Sequence, residues 1–446
     1  MEVFGDKLTD PAFFATNDPH PLWKQMRAED PVHWATGNLS RGFWSLTKYE
    51  DAVSVLRDPH TFSSEALGMS MMTRELENFD RSEMGCGAMI IAMDPPRHNP
   101  MRKALSRNFL RSQVVHWDER CRRVVKELID RVAPLGQCDF VTDIAQQLPM
   151  LMILEMMEIP GQDRPTLLRW AAMTVGNDDP EFQVGSSLES RTQGNFAIYD
   201  YSRRLALERR GGAGSDLLTL MGNAVVMGHP LSERELGFTG DMFVLAGIET
   251  TRTALADGML QLLRDRAAWR KLQQRCELLP SAIEEVLRWT SPVGHILRVA
   301  ATDTQIRRRR IRAGHKVVVW VPSANRDEDV FAEPERFDIE RSPNEHIAFG
   351  HGEHFCLGAH LARLELRTMI EELLRRLPDI ELAGPWSGCI RSSYSGPSTC
   401  RSNSRPHRLH DPYRFASPSH RRWYRFLADR LTDLRLYLFK QTVGSH

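Results

Sequence analysis

One cysteine of this 446-residue chain stands in a setting suited to chemistry. The stretch Phe349-Gly350-His351-Gly352-Glu353-His354-Phe355-Cys356-Leu357-Gly358 surrounds it with glycines. Gly350, Gly352 and Gly358 free the backbone to turn and let a flat object approach closely. A helical pattern, Ala359-His360-Leu361-Ala362-Arg363-Leu364-Glu365, comes immediately after, so Cys356 sits just before a helix N-terminus. Amide N–H groups and the helix dipole favour a thiolate there. A thiolate on such a loop, unpaired with any second cysteine, suits an axial metal ligand; the competing reading is an inert buried cysteine.

Three other patterns place polar groups at telling intervals. Ala246-Gly247-Ile248-Glu249-Thr250-Thr251 interrupts an apolar helical run with a glycine, an acid and two alcohols. A mid-helix glycine costs ~1 kcal/mol relative to alanine, so it has a local reason. In Asp94-Pro95-Pro96-Arg97-His98-Asn99-Pro100-Met101-Arg102, His98 and Arg102 are four apart and share one helix face. Glu285-Val286-Leu287-Arg288 puts an acid and a base three apart, which by itself is an ordinary helical ion pair.

The elements that must carry these groups are mostly helices. Apolar residues recur at three- and four-residue spacing over Ser112 to Val132, Phe140 to Met157, Ser232 to Leu263 and Pro280 to Trp289. Strand signals are fewer: Gly42 to Ser45, Ile296 to Thr302 and Val317 to Val321. Arg307 to Arg312 followed by Ala313-Gly314 reads as a hairpin arm and turn. Its arginines read as solvated, with a docking patch for an acidic partner as the second reading.

The cysteine stretch resembles the haem-ligand loop of the cytochrome P-450 family, F-x-x-G-x-x-x-C-x-G, and the other patterns match that family in the right order. Glu285 to Arg288 resembles its ExxR, and Pro334-Glu335-Arg336-Phe337 resembles the segment whose arginine completes a Glu–Arg–Arg network. The resemblance implies a mostly α fold with a minor β region and haem b between the family's I and L helices. It implies Cys356 as the axial iron ligand, with Ala246 and Gly358 beside the cofactor. His98, Arg102, Arg298 and His354 occupy positions that pair with the haem propionates. Glu249 and Thr250 match the oxygen-activation motif: the Thr hydroxyl bonds back to a carbonyl, opens a groove, and the two side chains relay protons.

Composition sets the outer limits. The chain has 58 Lys plus Arg and 58 Asp plus Glu, a neutral balance that argues against a nucleic-acid binder. No stretch has the ~20 apolar residues of a membrane span, and Met1 to Arg27 lacks a signal-peptide core. Seven cysteines without a CxxC suggest reduced thiols and a cytoplasmic protein. Trp386 to His446 carries 11 Lys/Arg against three Asp/Glu, a net +8, leaving −8 for the rest. Here Arg391-Ser392-Ser393-Tyr394-Ser395-Gly396 begins the family's closing pattern and Pro397 onward breaks it, whereas a shifted reading frame restores it. We therefore expect a P-450 domain over 1–396 and an atypical basic tail over 397–446, an out-of-frame product or a genuine appendage.

The resemblance implies insertion of one atom of O₂ into a C–H bond of an apolar small molecule: a terpenoid, steroid or polyketide-like scaffold. Electrons would arrive from NAD(P)H through a ferredoxin reductase and a ferredoxin, docking near Arg102, Lys103 and Arg363 on a monomer. Met242, Phe243, Ala246, Val293 to Leu297 and the methionines at 69, 71, 72, 84, 89 and 93 are candidate pocket residues. The alternatives are a peroxide-dependent haem enzyme and a haem-binding protein inactivated by its altered C-terminus.

Overall fold

The computed structural model describes residues 5–10, 13–14, 17–37, 40–68, 80–83, 85–175 and 184–382. The chain divides into two units, Met1–Ser402 and Asn403–His446, and every described residue belongs to the first. The basic tail, the pattern at Arg391 to Gly396, the expected boundary at 396–397 and the methionines at 69, 71, 72 and 84 lie outside the described residues.

Eight of the described helices carry or buttress the polar groups singled out by spacing: α1 Tyr49–Arg57, α2 His98–Leu105, α3 Asp118–Val132, α4 Gln147–Met156, α5 Ser187–Glu208, α6 Glu233–Arg264, α7 Leu279–Thr290 and α8 Ala359–Arg376. The apolar faces of α2 to α8 meet in one core, where Val125, Leu128 and Ile129 of α3, Leu148 of α4, Leu262 of α6 and Leu366 and Met369 of α8 are fully buried, while Ala52, Val55 and Leu56 of α1 pack against the sheet. The 32-residue α6 runs through this core, and its start is written in the sequence. Ser232 accepts the Glu235 N–H at 3.3 Å while Glu235 accepts the Ser232 N–H at 2.9 Å, a reciprocal cap that satisfies two otherwise unpaired donors. Glu235 also receives Arg97 Nε at 3.1 Å, tying the entry of α2 to that of α6.

The strands are β1 Val32–Gly37, β2 Ser40–Leu46, β3 Phe62–Ser63, β4 Val225–Val226, β5 His229–Pro230, β6 His295–Ala300, β7 Thr304–Ile306, β8 Arg309–Ile311 and β9 Lys316–Trp320. Five form one sheet in the order β1-β2-β9-β6-β3, with β2 and β9 parallel and the other pairs antiparallel. Alternation along β9 explains its all-apolar run: Val317 and Val319 face one cluster with Ile296 and Leu46, and Val318 and Trp320 face another with Leu297 and Phe43. A strand buried on both faces has no polar side to show.

Two expectations need correction. Ser112 to Val132 is not one helix: Arg111–Val114 and a 3₁₀ turn at Val115–Trp117 precede α3. The arginine hairpin is displaced as well. Thr304–Ile306 pairs with Arg309–Ile311, so the turn falls at Arg307 and Arg308, with Arg307 at φ 52°. Arg307 reaches Asp51 at 2.7 Å, Arg309 reaches Asp30 at 3.0 Å and Arg310 reaches Asp303 at 2.9 Å. Arg307 and Arg309 tie the hairpin to α1 and to the segment just before β1, while the Arg310 side chain stays 75% exposed.

Candidate active site

The cysteine loop is shaped by two left-handed glycines, Gly350 at φ 72° and Gly352 at φ 71°, conformations that L-residues with a Cβ avoid. Gly352 also lies against the end of α1, where a Cβ would overlap the Leu56 carbonyl. The loop closes on itself: the Cys356 N–H donates to the Phe349 carbonyl at 2.8 Å, and the Phe355 N–H donates to Gly352 at 3.0 Å. Gly358 caps α8 at an ordinary φ of −84°, and a Cβ there would meet no protein atom within 4 Å. Its importance is therefore the open approach above the loop rather than its backbone freedom.

The sulfur behaves differently from the sequence expectation. Burial pushes the Cys356 thiol up, against the Gly358 N–H and the charges of Arg102 and Arg363, which act the other way. A helix N-terminus alone does not make this thiolate. A metal cation at the sulfur would, because a coordinating thiol is deprotonated outright. Among the described residues no cluster of three His, Cys, Asp or Glu could hold a bare ion, so such a metal must bring its own remaining ligands.

Four cationic or hydrogen-bonding groups converge beside the loop. His98, the first residue of α2, and His354 stack with ring centroids 4.1 Å apart. His98 Nε2 is buried without a hydrogen-bond partner. Burial lowers the His98 pKa, and the same cause, with Arg298, His98 and Arg102 nearby, drives His354 down to about 2. Arg298 on β6 is 4% exposed, and its guanidinium donates to the Leu297 carbonyl at 2.8 Å. Burial brings it down to about 10, with Asp94 as the opposing charge. Arg102 donates to the Phe355 carbonyl at 2.7 Å, one residue from the cysteine. Asp94 and Glu353 are the acids nearest these groups, and His98 Nε2 still lacks a partner, so two further carboxylates would find two guanidinium groups and an unmet imidazole nitrogen to bind. The chemistry of this donor set fits a haem, with the thiolate for its iron and the cationic group for its propionates.

Across from the loop, Thr250 Oγ1 donates to the Ala246 carbonyl at 2.9 Å, the back-bond expected from the alcohol. Ala246 is exposed although Val244 and Ile248 beside it are buried, so it faces a cleft. Glu249 forms an ion pair with Arg252 of the same helix, a partner the sequence reading missed. Of the pocket candidates, Phe243 packs on Phe109 with centroids 5.5 Å apart, Met93 is wholly buried core, and Met89 is partly buried.

Behind the loop, Arg288 donates to both Glu285 oxygens at 2.8 Å and to the carbonyls of Asn325, Pro334 and Arg336 at 2.8, 3.0 and 3.2 Å. The third member is Arg341, whose Nε donates to Glu285 at 3.1 Å, and not Arg336. The Arg336 side chain is 61% exposed and pairs with Glu333; only its carbonyl joins the network, receiving Arg288 and Arg341. Asn344 donates to the same carboxylate at 3.1 Å. One residue earlier, Glu284 receives a two-pronged Arg363 at 2.7 Å per contact and meets His346 at 3.2 Å. Arg363 is thereby engaged, and of the expected docking residues Lys103 is the exposed one.

Known proteins resemble this chain along most of its length. The sequence model of the family described as Cytochrome P450 matches residues 213–378. The chain is 38% identical over 383 residues to a steroid C26-monooxygenase of Mycobacterium tuberculosis, covering 84% of this chain and 90% of that protein. It is 33% identical over 379 residues to linalool 8-monooxygenase of Pseudomonas putida, covering 84% and 93%. Among solved structures, CYP108D1 of Novosphingobium aromaticivorans superposes with a TM-score of 0.79 at 30% identity, covering 89% of this chain and 96% of that one. A Mycobacterium marinum cytochrome P450, CYP268A2, solved with pseudoionone, gives 0.78 at 34% identity, covering 87% and 95%.

Proposed function

The chain belongs to the cytochrome P450 family, and from that premise we propose how its own residues divide the work. The protein is a haem b monooxygenase, an oxidoreductase that incorporates oxygen from O₂ into apolar molecules. When bound, the haem would supply the oxygen chemistry, with a thiolate ligand donating electron density to its iron. Cys356 would be that ligand. His98, Arg102, Arg298 and His354 would hold the propionates, and Ala246 and Gly358 would flank the macrocycle between α6 and α8. Glu249 and Thr250 would hold and pass protons, with the Thr250 hydroxyl fixed on the Ala246 carbonyl and the Glu249 carboxylate held by Arg252 one helical turn on.

The substrate we infer is an apolar scaffold of the terpenoid, steroid or polyketide type. Support comes from the relatives named for steroid, linalool and methyl-branched lipid oxidation. Electrons would come from a ferredoxin and its reductase to a cytoplasmic monomer, with Lys103 in the docking face. Among the described residues no helix is long and apolar enough to cross a membrane.

The observation that carries the assignment is the Cys356 sulfur beside a buried, unpartnered His98 Nε2 and a buried Arg298. The reduced, CO-bound absorption spectrum tests it. The wild-type chain should give the thiolate-type band, and Cys356→Ser should lose it; a band that survives the replacement refutes the role of Cys356.

A further inference from the structure

The ion pair just behind the cysteine loop does more than join two helices. Arg363 lies seven residues after Cys356 on α8, and its guanidinium sits 4.6 Å from the Phe349 ring centroid. The carbonyl of that same Phe349 receives the Cys356 N–H. Through Phe349 the guanidinium lies against the loop that carries the sulfur. Glu284 grips both prongs of that guanidinium, and the pair is about 30% exposed on each side, so solvent screens it only in part. His346, 2% exposed, approaches the same carboxylate and is within ring distance of Phe349, with centroids 6.1 Å apart. Glu284 is thus the counter-charge to the cation that borders the cysteine loop.

We propose that Glu284 is a positioning residue for the reaction: by clamping and neutralising Arg363 it sets the net positive charge beside the Cys356 sulfur, and so the ease with which the bound haem accepts an electron from its redox partner. This rests on Cys356 being the axial ligand. Reduction of ferric to ferrous haem adds one negative charge next to the thiolate. A cation nearby favours the reduced state, and an anion nearby disfavours it. In the wild type Glu284, paired with Arg363, offsets part of the guanidinium charge. A mainly mechanical clamp would behave otherwise, because losing either half of it would loosen the loop in the same way.

The test is a spectroelectrochemical titration of the haem-loaded, full-length protein, with the reduced CO-bound spectrum recorded on every sample. Glu284→Gln leaves Arg363 uncompensated and should raise the reduction potential, increasing the reduced-to-oxidised ratio at a fixed poise by roughly tenfold. Arg363→Gln leaves Glu284 with only His346 as its partner and should shift the ratio the opposite way. The double variant, with both charges gone, should return close to wild type, and Arg363→Lys, which keeps the charge and loses the fork, should stay close to it. Shifts of the same sign in both single variants, or none, with the thiolate-type band intact, overturn the proposal. So does an Arg363→Lys shift equal to that of Arg363→Gln. Should Glu284→Gln fail to load haem, the double variant and Arg363→Lys still decide the matter. A wild-type protein without the thiolate-type band removes the premise, which separates that failure from failure of the clamp.

Discussion

Thr250 and Arg298 each make a bond whose loss should be legible in a different measurement. Without the hydroxyl, the contact to the Ala246 carbonyl disappears while nothing near the cysteine changes. Thr250→Ala should therefore load haem normally and yield less product per NAD(P)H consumed, several-fold less if the hydroxyl manages protons; unchanged coupling would remove it from that role. Arg298→Ala removes a cation from a site that is 4% exposed. Haem retention should fall roughly tenfold, on the order of one charge-assisted hydrogen bond, as read by Soret absorbance per protein after dilution. Cys356 and the His98–Arg102 pair stand out in the sequence because spacing within one loop or one helix turn marks them, whereas Arg298, on a strand, and His354 follow only from the family resemblance. Arg341 and Glu284 stand out in neither way: their partners lie 56 and 79 positions away, and nothing local marks a charge as buried.

The elements tell a similar story through packing. α6 and α7 show plainly in the sequence because large apolar residues recur along them. The 22-residue α5 does not, although it packs along α6, because the meeting surfaces are small. A Cβ on Gly240 would overlap Ser202, and one on Gly237 would overlap Tyr199. Helices that approach through glycine and serine leave no hydrophobic period to read. β1 went unseen for a related reason, since a two-residue link joins it to β2 without a recognisable turn dipeptide. At this scale the Glu285 network gives a sharp contrast. Arg341, 8% exposed, adds a charge-assisted hydrogen bond to a wholly buried carboxylate that Arg288 already grips, so Arg341→Ala should cost about 1.5–3 kcal/mol in chemical denaturation. Arg336→Ala, at a side chain 61% exposed, should stay within about 0.5 kcal/mol. Equal costs would contradict the assignment of Arg341 as the third member.

For the whole molecule, three acids set the pH range of stability. Burial pushes Glu365 on α8 up to about 8, and pushes Asp241 on α6 up to about 8 against the charge of Arg191. Both carboxyls are favoured neutral in the folded state. Their contribution is fully present below the ordinary carboxyl range and is lost as pH rises through about 8. Glu284 has the opposite sign: burial resists its ionisation, yet Arg363 and His346 outweigh that and hold it at about 2. Its contribution is present above about 4.5 and lost as pH falls toward 2. Thermal unfolding followed across pH should show stability falling between the ordinary carboxyl range and about 8, and Glu365→Gln should flatten that fall without changing the loss at lower pH. A fall unaffected by Glu365→Gln would mean that the carboxyl finds solvent or a partner on ionising.

The contact of Gly352 with the end of α1 has an evolutionary edge. Its φ of 71° disfavours any side chain, and the Leu56 carbonyl stands where the first carbon would go. Both barriers act at once, so relieving one leaves the other. Saturation mutagenesis of the loop, scored by pigment in colonies, should find this codon intolerant of all nineteen replacements, whereas Gly358, unobstructed and at an ordinary dihedral, should accept alanine until the macrocycle itself objects.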